Sequence, residues 1–222
     1  MFQRQPLRDQ IQTEILARIA DGRLAPGQRI NETHLAEDLG LSRTPLREAM
    51  LTLRAAGFLD STLGRGFQVP ALAATEFRQV QDMLALLEPH ALIDRGPLDP
   101  TTVMELNNLL NRAKMRLVAT AKPKARAAAF ADLVFQWSGL TVGDAPNTLL
   151  AGEVQRLQGL SRRYWFVVCR QELAVEAILE SYGRIYEALR TGQTAQARDL
   201  TAAHMKGMAQ AALTLLTAQS PD

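Results

Sequence analysis

Two short helical patterns near the start of the chain are separated by so little sequence that they constrain the fold more than any other feature. The first begins at Asn31, a residue type that caps helix N-termini, and ends at Gly40, which suits the position just after a helix. The second runs from Ser42 to about Ala56 with its apolar residues on one face. Two helices joined by a tight turn are therefore expected here.

A helical stripe precedes this pair of helices, and two short strands follow it. Apolar residues recur every four positions from Leu7 to Ile19, which predicts an amphipathic helix ended by Gly22. Residues 58–61 and 67–69 are typical of short strands around a Gly-rich turn. Three helices followed by a two-stranded hairpin are the elements of a winged helix-turn-helix domain.

From residue 73 onward the sequence consists of long helical patterns with brief interruptions. Apolar residues make up 47% of the chain and aromatic residues 5%, and this balance favours helices packed on helices over a β-sandwich. The chain is therefore predicted to be mainly α, with an N-terminal winged helix-turn-helix domain over 1–72 and a C-terminal antiparallel all-α helical bundle over 73–222. The helices of the bundle are expected at about 75–95, 100–120, 122–142, 146–169, 171–192 and 194–218.

Charge, cysteine content and hydropathy indicate where in the cell the protein is expected and which classes of function are not expected. The net charge is +2, which says little about partners, and the single cysteine, Cys169, cannot form an internal disulfide. No signal peptide is recognisable and no apolar run is long enough to span a bilayer, so we expect a cytoplasmic protein with no membrane partner. The sequence has no Walker loop, no nucleophile-elbow serine and no paired-cysteine motif, so an enzyme is not expected.

Two arginines at the start of the third helix, Arg43 and Arg47, are candidates for reading DNA. They lie four residues apart and so project from one face, and Pro45 between them is tolerated because N–H groups in the first turn have no intrahelical partner. A recognition helix places its N-terminal residues at base edges in the major groove, where arginine bonds guanine bidentately. Residues 41–66 carry four arginines against two acidic residues, which favours this interpretation over a merely solvated face or an Arg43–Glu48 ion pair.

A dense set of motif residues lies between Ile15 and Val69. It comprises Gly22, Leu24, Pro26, Gly27, Ile30, Asn31, Glu32, Leu35, Ala36, the run from Leu39 to Ala49, Leu53, Gly57, Phe58, Gly64, Arg65 and Gly66. This set resembles the N-terminal domain of GntR-type bacterial transcription regulators, and the resemblance implies a DNA-binding domain. At the matching positions it implies base reading by Arg43, Thr44 and Arg47, backbone or phosphate contacts by Arg29 and Ser42, and a close approach of the wing at Arg65 and Gly66.

Residues 75–218 look like the effector domain of FadR-type regulators, often called FCD, in its six-helix form. The resemblance rests on helix number and length and on scattered residues: Leu87, Glu88, Asp132, Phe135, Asn147, Leu150, Ile185, Ala188, Leu189, Gly192, Ala197 and His204. It implies a homodimer paired through this domain, a short palindromic double-stranded DNA operator and a small-molecule effector. Repression is the simplest mode of action for such a protein, because it needs only occupancy of the operator.

Many FCD domains resemble one another in a metal site of one aspartate and three histidines, and this chain matches it only in part. Asp132 and His204 stand at two of those positions, whereas Gln136 and Tyr182 stand at the other two. Amide and phenol groups are poor ligands for transition metals, so neither a metal nor another cofactor is expected. Leu84 stands where the family often has an arginine that clamps a carboxylate effector.

The effector pocket is expected to involve five polar residues, Asp132, Gln136, Asn147, Tyr182 and His204. Three possibilities stay open for it: an apolar pocket, a hydrogen-bonding pocket, or a filled pocket that binds nothing. In the last case Tyr182 and His204 are core residues bonded to each other or to Asp132, and the protein is a DNA binder without a ligand. An enzyme that uses Asp132 and His204 as an acid–base pair is the remaining alternative, and it lacks an evident nucleophile.

Overall fold

The computed structural model describes residues 7–62, 66–119, 123–168 and 175–217. The chain divides into two compact units, Met1–Leu72 and Ala73–Asp222. Among the helices of the described residues, none is both long and apolar enough to cross a bilayer.

The first unit holds three helices and three short strands in its described part. In chain order they are α1 (Leu7–Asp21), β1 (Arg29–Ile30), α2 (Glu32–Asp38), α3 (Arg43–Ala55), β2 (Asp60–Thr62) and β3 (Gly66–Gln68). The strands form an antiparallel sheet in the order β1-β3-β2, with Ser61 opposite Phe67 and Arg29 opposite Gln68. The predicted hairpin is present, and β1 adds a strand that is too short to show a periodic pattern.

Apolar residues from all three helices form the core of this unit. Ile15 on α1 and the α3 residues Leu46 and Met50 are completely buried. Burying an aliphatic side chain of this size stabilises a fold by about 1.5 to 3 kcal/mol, so these contacts hold α3 against α1. The opposite face of α3, which carries Arg43 and Arg47, is thereby turned to solvent.

The turn between α2 and α3 is fixed on both sides. The Asn31 Oδ1 atom accepts hydrogen bonds of 3.1 Å from two backbone N–H groups of the first turn, which confirms Asn31 as the N-cap of α2. Gly40 follows α2 with a φ of +65°, a conformation that other residues rarely adopt. The Leu41 N–H then donates to the Ala36 carbonyl at 2.9 Å, and this bond sets where α3 begins.

Six helices form the second unit in its described part. They are α4 (Ala74–Arg95), α5 (Pro100–Ala119), α6 (Pro123–Val142), α7 (Thr148–Val168), α8 (Val175–Arg190) and α9 (Thr194–Thr217). All six predicted helices are present. The predicted ends at 120, 122, 169, 171 and 218 lie outside the described residues, and the other ends agree with the structure to within two residues. Since α4 packs against α6, α7 and α9, it lies in the middle of the bundle.

Aromatic rings meet where α4, α6 and α7 pack together. The Trp165 ring on α7 lies edge-on to Phe77 of α4, with 5.4 Å between centroids, and to Phe130 of α6, with 5.6 Å. Edge-to-face contacts of this kind add to the stabilisation from buried area. They fix α7 relative to α4 and so position the polar side chains that both helices turn inward.

Candidate nucleic-acid interface and effector cavity

The N-terminal end of α3 presents polar side chains to solvent. Ser42, Arg43 and Thr44 are exposed, and Arg43 makes no ion pair with any described residue, Glu48 included. Ser42 occupies the N-cap position, but its hydroxyl makes no capping hydrogen bond. Pro45 stands at the third helical position and lacks one of the two N–H groups that an N-cap hydroxyl usually bonds. The Ser42 hydroxyl therefore does not cap α3.

Arg47 lies one turn further along α3 and is held by a carboxylate. Its Nη1 atom lies 3.1 Å and 3.3 Å from the two carboxylate oxygens of Glu32, at the start of α2. The guanidinium carbon also lies 5.8 Å from the centroid of the Phe67 ring. The Arg47 side chain is 57% exposed and that of Glu32 is 11% exposed, so the pair orients Arg47 while leaving it accessible. The sequence did not reveal this role of Glu32, because only the fold brings α2 beside α3.

Two further predicted DNA contacts, Arg29 and Gly66, belong to the sheet. Arg29 is exposed on β1, the strand that pairs with β3. Gly66 begins β3 with a φ of +73°, and a Cβ there would lie 3.7 Å from a carboxylate oxygen of Glu32. The wing strand therefore starts next to the carboxylate that holds Arg47. Arg65 lies outside the described residues.

A small enclosed cavity lies inside the helical unit, among α4, α6, α7, α8 and α9. The volume of this cavity is about 20 Å³, which is enough for one water molecule. Its walls include both tryptophans of the chain, Trp137 and Trp165. Its polar lining comprises Gln81, Glu88, Gln158, Tyr182, Thr201 and His204.

Two of the five residues predicted to form an effector pocket, Tyr182 and His204, line this cavity. Asp132 forms instead an ion pair with an arginine of α7 at a partly exposed position. Gln136 is exposed and lines a separate surface groove. The reason is the helical period of α6, since Trp137 reaches the cavity while the two predicted residues of that helix lie on other faces.

Asn147 is a helix cap and does not line the cavity. Its Oδ1 atom accepts the backbone N–H of Leu150 at 3.1 Å, and its own N–H donates to the Asp94 carboxylate at 2.8 Å. These bonds hold the start of α7 against the end of α4. The five residues that the sequence predicted for one effector pocket are therefore not assembled around a single cavity.

The side chains present do not fit the transition-metal site that the resemblance implies. Asp132 pairs with Arg162 and lies outside the lining of the cavity to which His204 contributes, so these two ligand-type residues are not assembled. Within the described ranges, no group of three or more histidine, cysteine, aspartate or glutamate residues is placed to hold an ion. The same separation leaves Asp132 and His204 unassembled as an acid–base pair.

His204 has one ring nitrogen with a partner and one without. Its Nδ1 atom lies 3.0 Å from the Ser181 hydroxyl, and its ring centroid lies 4.3 Å from that of Tyr182. Its Nε2 atom is buried and has no hydrogen-bond partner among the residues that the structure describes. Burial lowers the pKa of His204 to about 4, and the positive charge of Arg184 acts in the same direction. The imidazole is therefore neutral at neutral pH.

Glu88, on α4, is the acidic residue of the cavity and is buried. Its Oε2 atom accepts a hydrogen bond of 2.6 Å from the Gln158 side-chain amide. Burial raises the pKa of Glu88 to about 7, although the Gln158 hydrogen bond acts in the opposite direction. The carboxyl group is therefore substantially protonated near neutral pH. The sequence signal for this residue is a carboxylate within the buried stripe of α4, between Leu84 and Ala91.

Two protein-family models match the chain. Residues 7–69 match the bacterial regulatory proteins of the gntR family, and residues 79–207 match the FCD domain. The chain belongs to the GntR family. It is a DNA-binding transcriptional regulator with a C-terminal FCD domain, in agreement with the motif residues of both units.

Relatives of this GntR-family chain are transcriptional regulators by name. It is 34% identical over 99 residues to the uncharacterized HTH-type transcriptional regulator YdhC of Bacillus subtilis (strain 168), a match that spans 43% of the chain and 44% of YdhC. It is 25% identical over 207 residues to the HTH-type transcriptional regulator LutR of the same organism, spanning 84% of the chain and 92% of LutR. The match thus covers less than half the length of YdhC and most of LutR.

A solved structure shows the same fold. The structure of E. coli McbR/YncC matches this GntR-family chain with a TM-score of 0.76 at 20% sequence identity, covering 97% of the chain and 99% of that structure. A second, a putative transcriptional regulator GntR from Rhodococcus sp. RHA1, matches with a TM-score of 0.70 at 18% identity, covering 96% and 99%. At these identities the likeness concerns the arrangement of helices and strands.

Proposed function

We propose that the protein is a ligand-responsive homodimeric repressor that binds a short palindromic operator through its winged helix-turn-helix and acts in the cytoplasm. The observation that carries this proposal is the front of α3, where Arg43, Thr44 and Arg47 are exposed and share one surface cleft. Repression is the simplest mode, because occupancy of an operator suffices for it.

Each exposed group at the front of α3 suits a particular part of a DNA duplex. Arg43 and Arg47 can each bond the O6 and N7 atoms of a guanine, which contributes about 1 to 3 kcal/mol of discrimination per pair. The hydroxyls of Ser42 and Thr44, together with the positive end of the helix dipole, suit backbone phosphates. The proposed interface comprises Arg29, Ser42, Arg43, Thr44, Arg47, Arg65 and Gly66.

A second copy of the chain is the proposed partner of the helical unit. Three large apolar residues of α4, Met83, Leu86 and Ile93, are exposed, and Leu86 is 75% exposed. Their spacing brings them to one side of the helix. A palindromic operator needs two winged domains related by a two-fold axis, and pairing of this face with itself supplies such an axis.

The cavity between Glu88 and His204 is the proposed effector site. Its polar groups surround an internal space, and the Nε2 atom of His204 lacks a partner there. An effector shifts the balance between a DNA-binding and a released form only by the difference in its affinity for the two. We therefore expect the effector to bind the released form better and so to lower operator affinity.

Selection of bound duplexes from a random pool, with the full chain, tests the DNA-binding part of this proposal. The expected result is a short two-fold-symmetric consensus that carries two chains, as measured by light scattering of the complex. Recovery of no consensus would contradict operator binding, and one chain per symmetric duplex would contradict the dimer. Fluorescence anisotropy on the selected duplex should then show a loss of affinity when fractions of cell extract that contain the effector are added.

A DNA-binding regulator with a silent cavity is the second candidate. One observation favours it, because the cavity has room for about one water molecule and a larger ligand must displace side chains. Extract fractions that never alter the affinity of a protein that does select a consensus would favour this candidate. An enzyme is not proposed, since Asp132 does not line the cavity that contains His204.

A further inference from the structure

The cavity between Glu88 and His204 disfavours ions of either sign. Glu88 is its acidic group, and no lysine or arginine is found among the described residues that line it. A carboxylate ligand would therefore meet another carboxyl group with no cation to pair with it. The positive charge of Arg184 disfavours protonation of His204, and it disfavours a cationic ligand beside His204 for the same reason.

Two groups of the lining can form hydrogen bonds with a ligand. The Nε2 atom of His204 is buried without a partner, while Nδ1 lies 3.0 Å from the Ser181 hydroxyl. In the tautomer whose Nδ1–H donates to Ser181, Nε2 is an acceptor. The Glu88 carboxyl group accepts a hydrogen bond from Gln158 on one oxygen and also interacts with the Ser138 hydroxyl, and in its protonated form it is a donor. A ligand hydroxyl both donates and accepts, so it can bond to either group while carrying no charge.

The apolar walls favour a ring or a short alkyl group. They include Trp137 and Trp165, together with Met205 and Met208 of α9. Methionine side chains are flexible and fill irregular spaces, so α9 supplies a part of the wall that can move. Met208 and His204 also line a surface groove of about 360 Å³ between α8 and α9. These two side chains therefore stand between the groove and the cavity, where a ligand can enter.

We propose that this cavity takes a small, uncharged, largely apolar molecule with a hydroxyl or similar hydrogen-bonding group, and that it rejects carboxylates. This inference rests on the proposed function, since it gives the chemical class of effector for the same site. The hydroxyl bonds His204 Nε2, and the apolar part displaces Met205 and Met208.

Three probes that share one ring and differ in charge test the proposal on the full chain: benzyl alcohol, benzoate and benzylammonium. Both tryptophans of the chain line the cavity, so tryptophan fluorescence reports binding there. Benzyl alcohol should give a saturable change, and each ion should bind at least about tenfold more weakly. Equal or tighter binding of either ion would overturn the proposal. So would the absence of a saturable change with all three probes, because the cavity would then hold water only.

Substitutions of Glu88 and His204 show where the probe binds. Glu88→Gln should reduce the discrimination against benzoate severalfold, because the fraction of Glu88 that is ionised near neutral pH no longer repels the benzoate carboxylate. His204→Phe should weaken benzyl alcohol binding about tenfold, because the hydroxyl loses its partner, and His204→Ala replaces it if the larger ring prevents folding. The matched control is Glu153→Gln on α7, where the carboxylate pairs with Arg156 at the surface, and it should leave all affinities unchanged. Wild-type affinities in both cavity variants would overturn the assignment.

Operator binding measured in the same samples separates this proposal from the proposed function. If the protein selects a DNA consensus and a carboxylate fraction releases it by binding the cavity, the regulator stands and the uncharged ligand class is wrong. If no consensus is selected, the proposed function fails. The relative affinities of the three probes still decide which charge the cavity accepts.

Discussion

Replacing Glu88 with glutamine should change the pH dependence of stability by an amount that follows from its burial. Burial raises the pKa of Glu88 from 4.5 to about 7 in the folded chain. The folded state therefore holds this proton more tightly than the unfolded state. The resulting stabilisation is fully present below pH 4.5 and is lost as the pH rises through about 7. At about 1.4 kcal/mol for each pH unit between the two values, the loss amounts to about 3 kcal/mol.

The Glu88→Gln variant has no titrating group at this position, so it escapes that loss. Its free energy of unfolding should rise relative to wild type by about 2 to 3 kcal/mol between about pH 5 and pH 8. Urea unfolding followed by tryptophan fluorescence measures this difference, because Trp137 and Trp165 lie beside Glu88 in the cavity. The lowered pKa of His204 costs stability as the pH falls from 6.5 towards 4, but both proteins contain His204 and its effect cancels.

Glu153→Gln is the matched control for this measurement. Its hydrogen bond with Arg156 lowers the pKa of Glu153, so this carboxylate stays ionised over the pH range in question. The stability curve of the control should therefore run parallel to that of the wild type between about pH 5 and pH 8. Parallel curves for wild type and Glu88→Gln would refute the reasoning, because Glu88 would then titrate like an exposed glutamate.

The cap of α2, the salt dependence and the metal content give further checks. Asn31→Ala should lower the free energy of unfolding of the winged unit by about 1 kcal/mol in denaturant titrations, because two N–H groups lose their acceptor, and an unchanged value would mean that the cap contributes nothing. Log affinity for the operator should fall against log salt with a slope of about −5 or steeper for roughly 6 to 10 phosphate contacts, whereas a flat plot would count against DNA binding. Elemental analysis should find well under one metal ion per chain, and a stoichiometric, chelator-resistant ion would contradict the interpretation of Gln136 and Tyr182.

The helices can be predicted from the sequence because each buries a stripe with the helical period. Ile11, Ile15 and Ile19 of α1 are buried at a spacing of four residues, and Gly40 and Gly57 follow α2 and α3 with positive φ. The two residues of β1 cannot be recognised in this way. They become a strand only by pairing with β3, and that partner is far away in the sequence.

The proposed DNA-reading residues of α3 depend on local sequence, whereas the cavity of the helical unit depends on contacts between distant segments. Arg43 is exposed because of its place on a single amphipathic helix, and the sequence defines that helix. The cavity depends on which faces of five helices meet, so motif positions alone could not show that Asp132 and Gln136 lie outside its lining. The ion pair between Glu32 and Arg47 is likewise a contact between two helices, and no local sequence pattern reveals it.

Base reading by Arg43 and Arg47 is the central claim, and alanine variants measured on two duplexes test it most directly. The duplexes are a consensus selected by the wild-type protein and a scrambled sequence of the same length. Arg43→Ala and Arg47→Ala should each lose about 1 to 3 kcal/mol of discrimination between them. Arg54→Ala is the matched control near the other end of α3, where Arg54 donates to Ser61 at 2.8 Å, and it should keep the discrimination. If Arg43→Ala and Arg47→Ala both keep the wild-type discrimination between the two duplexes, base reading by α3 is contradicted.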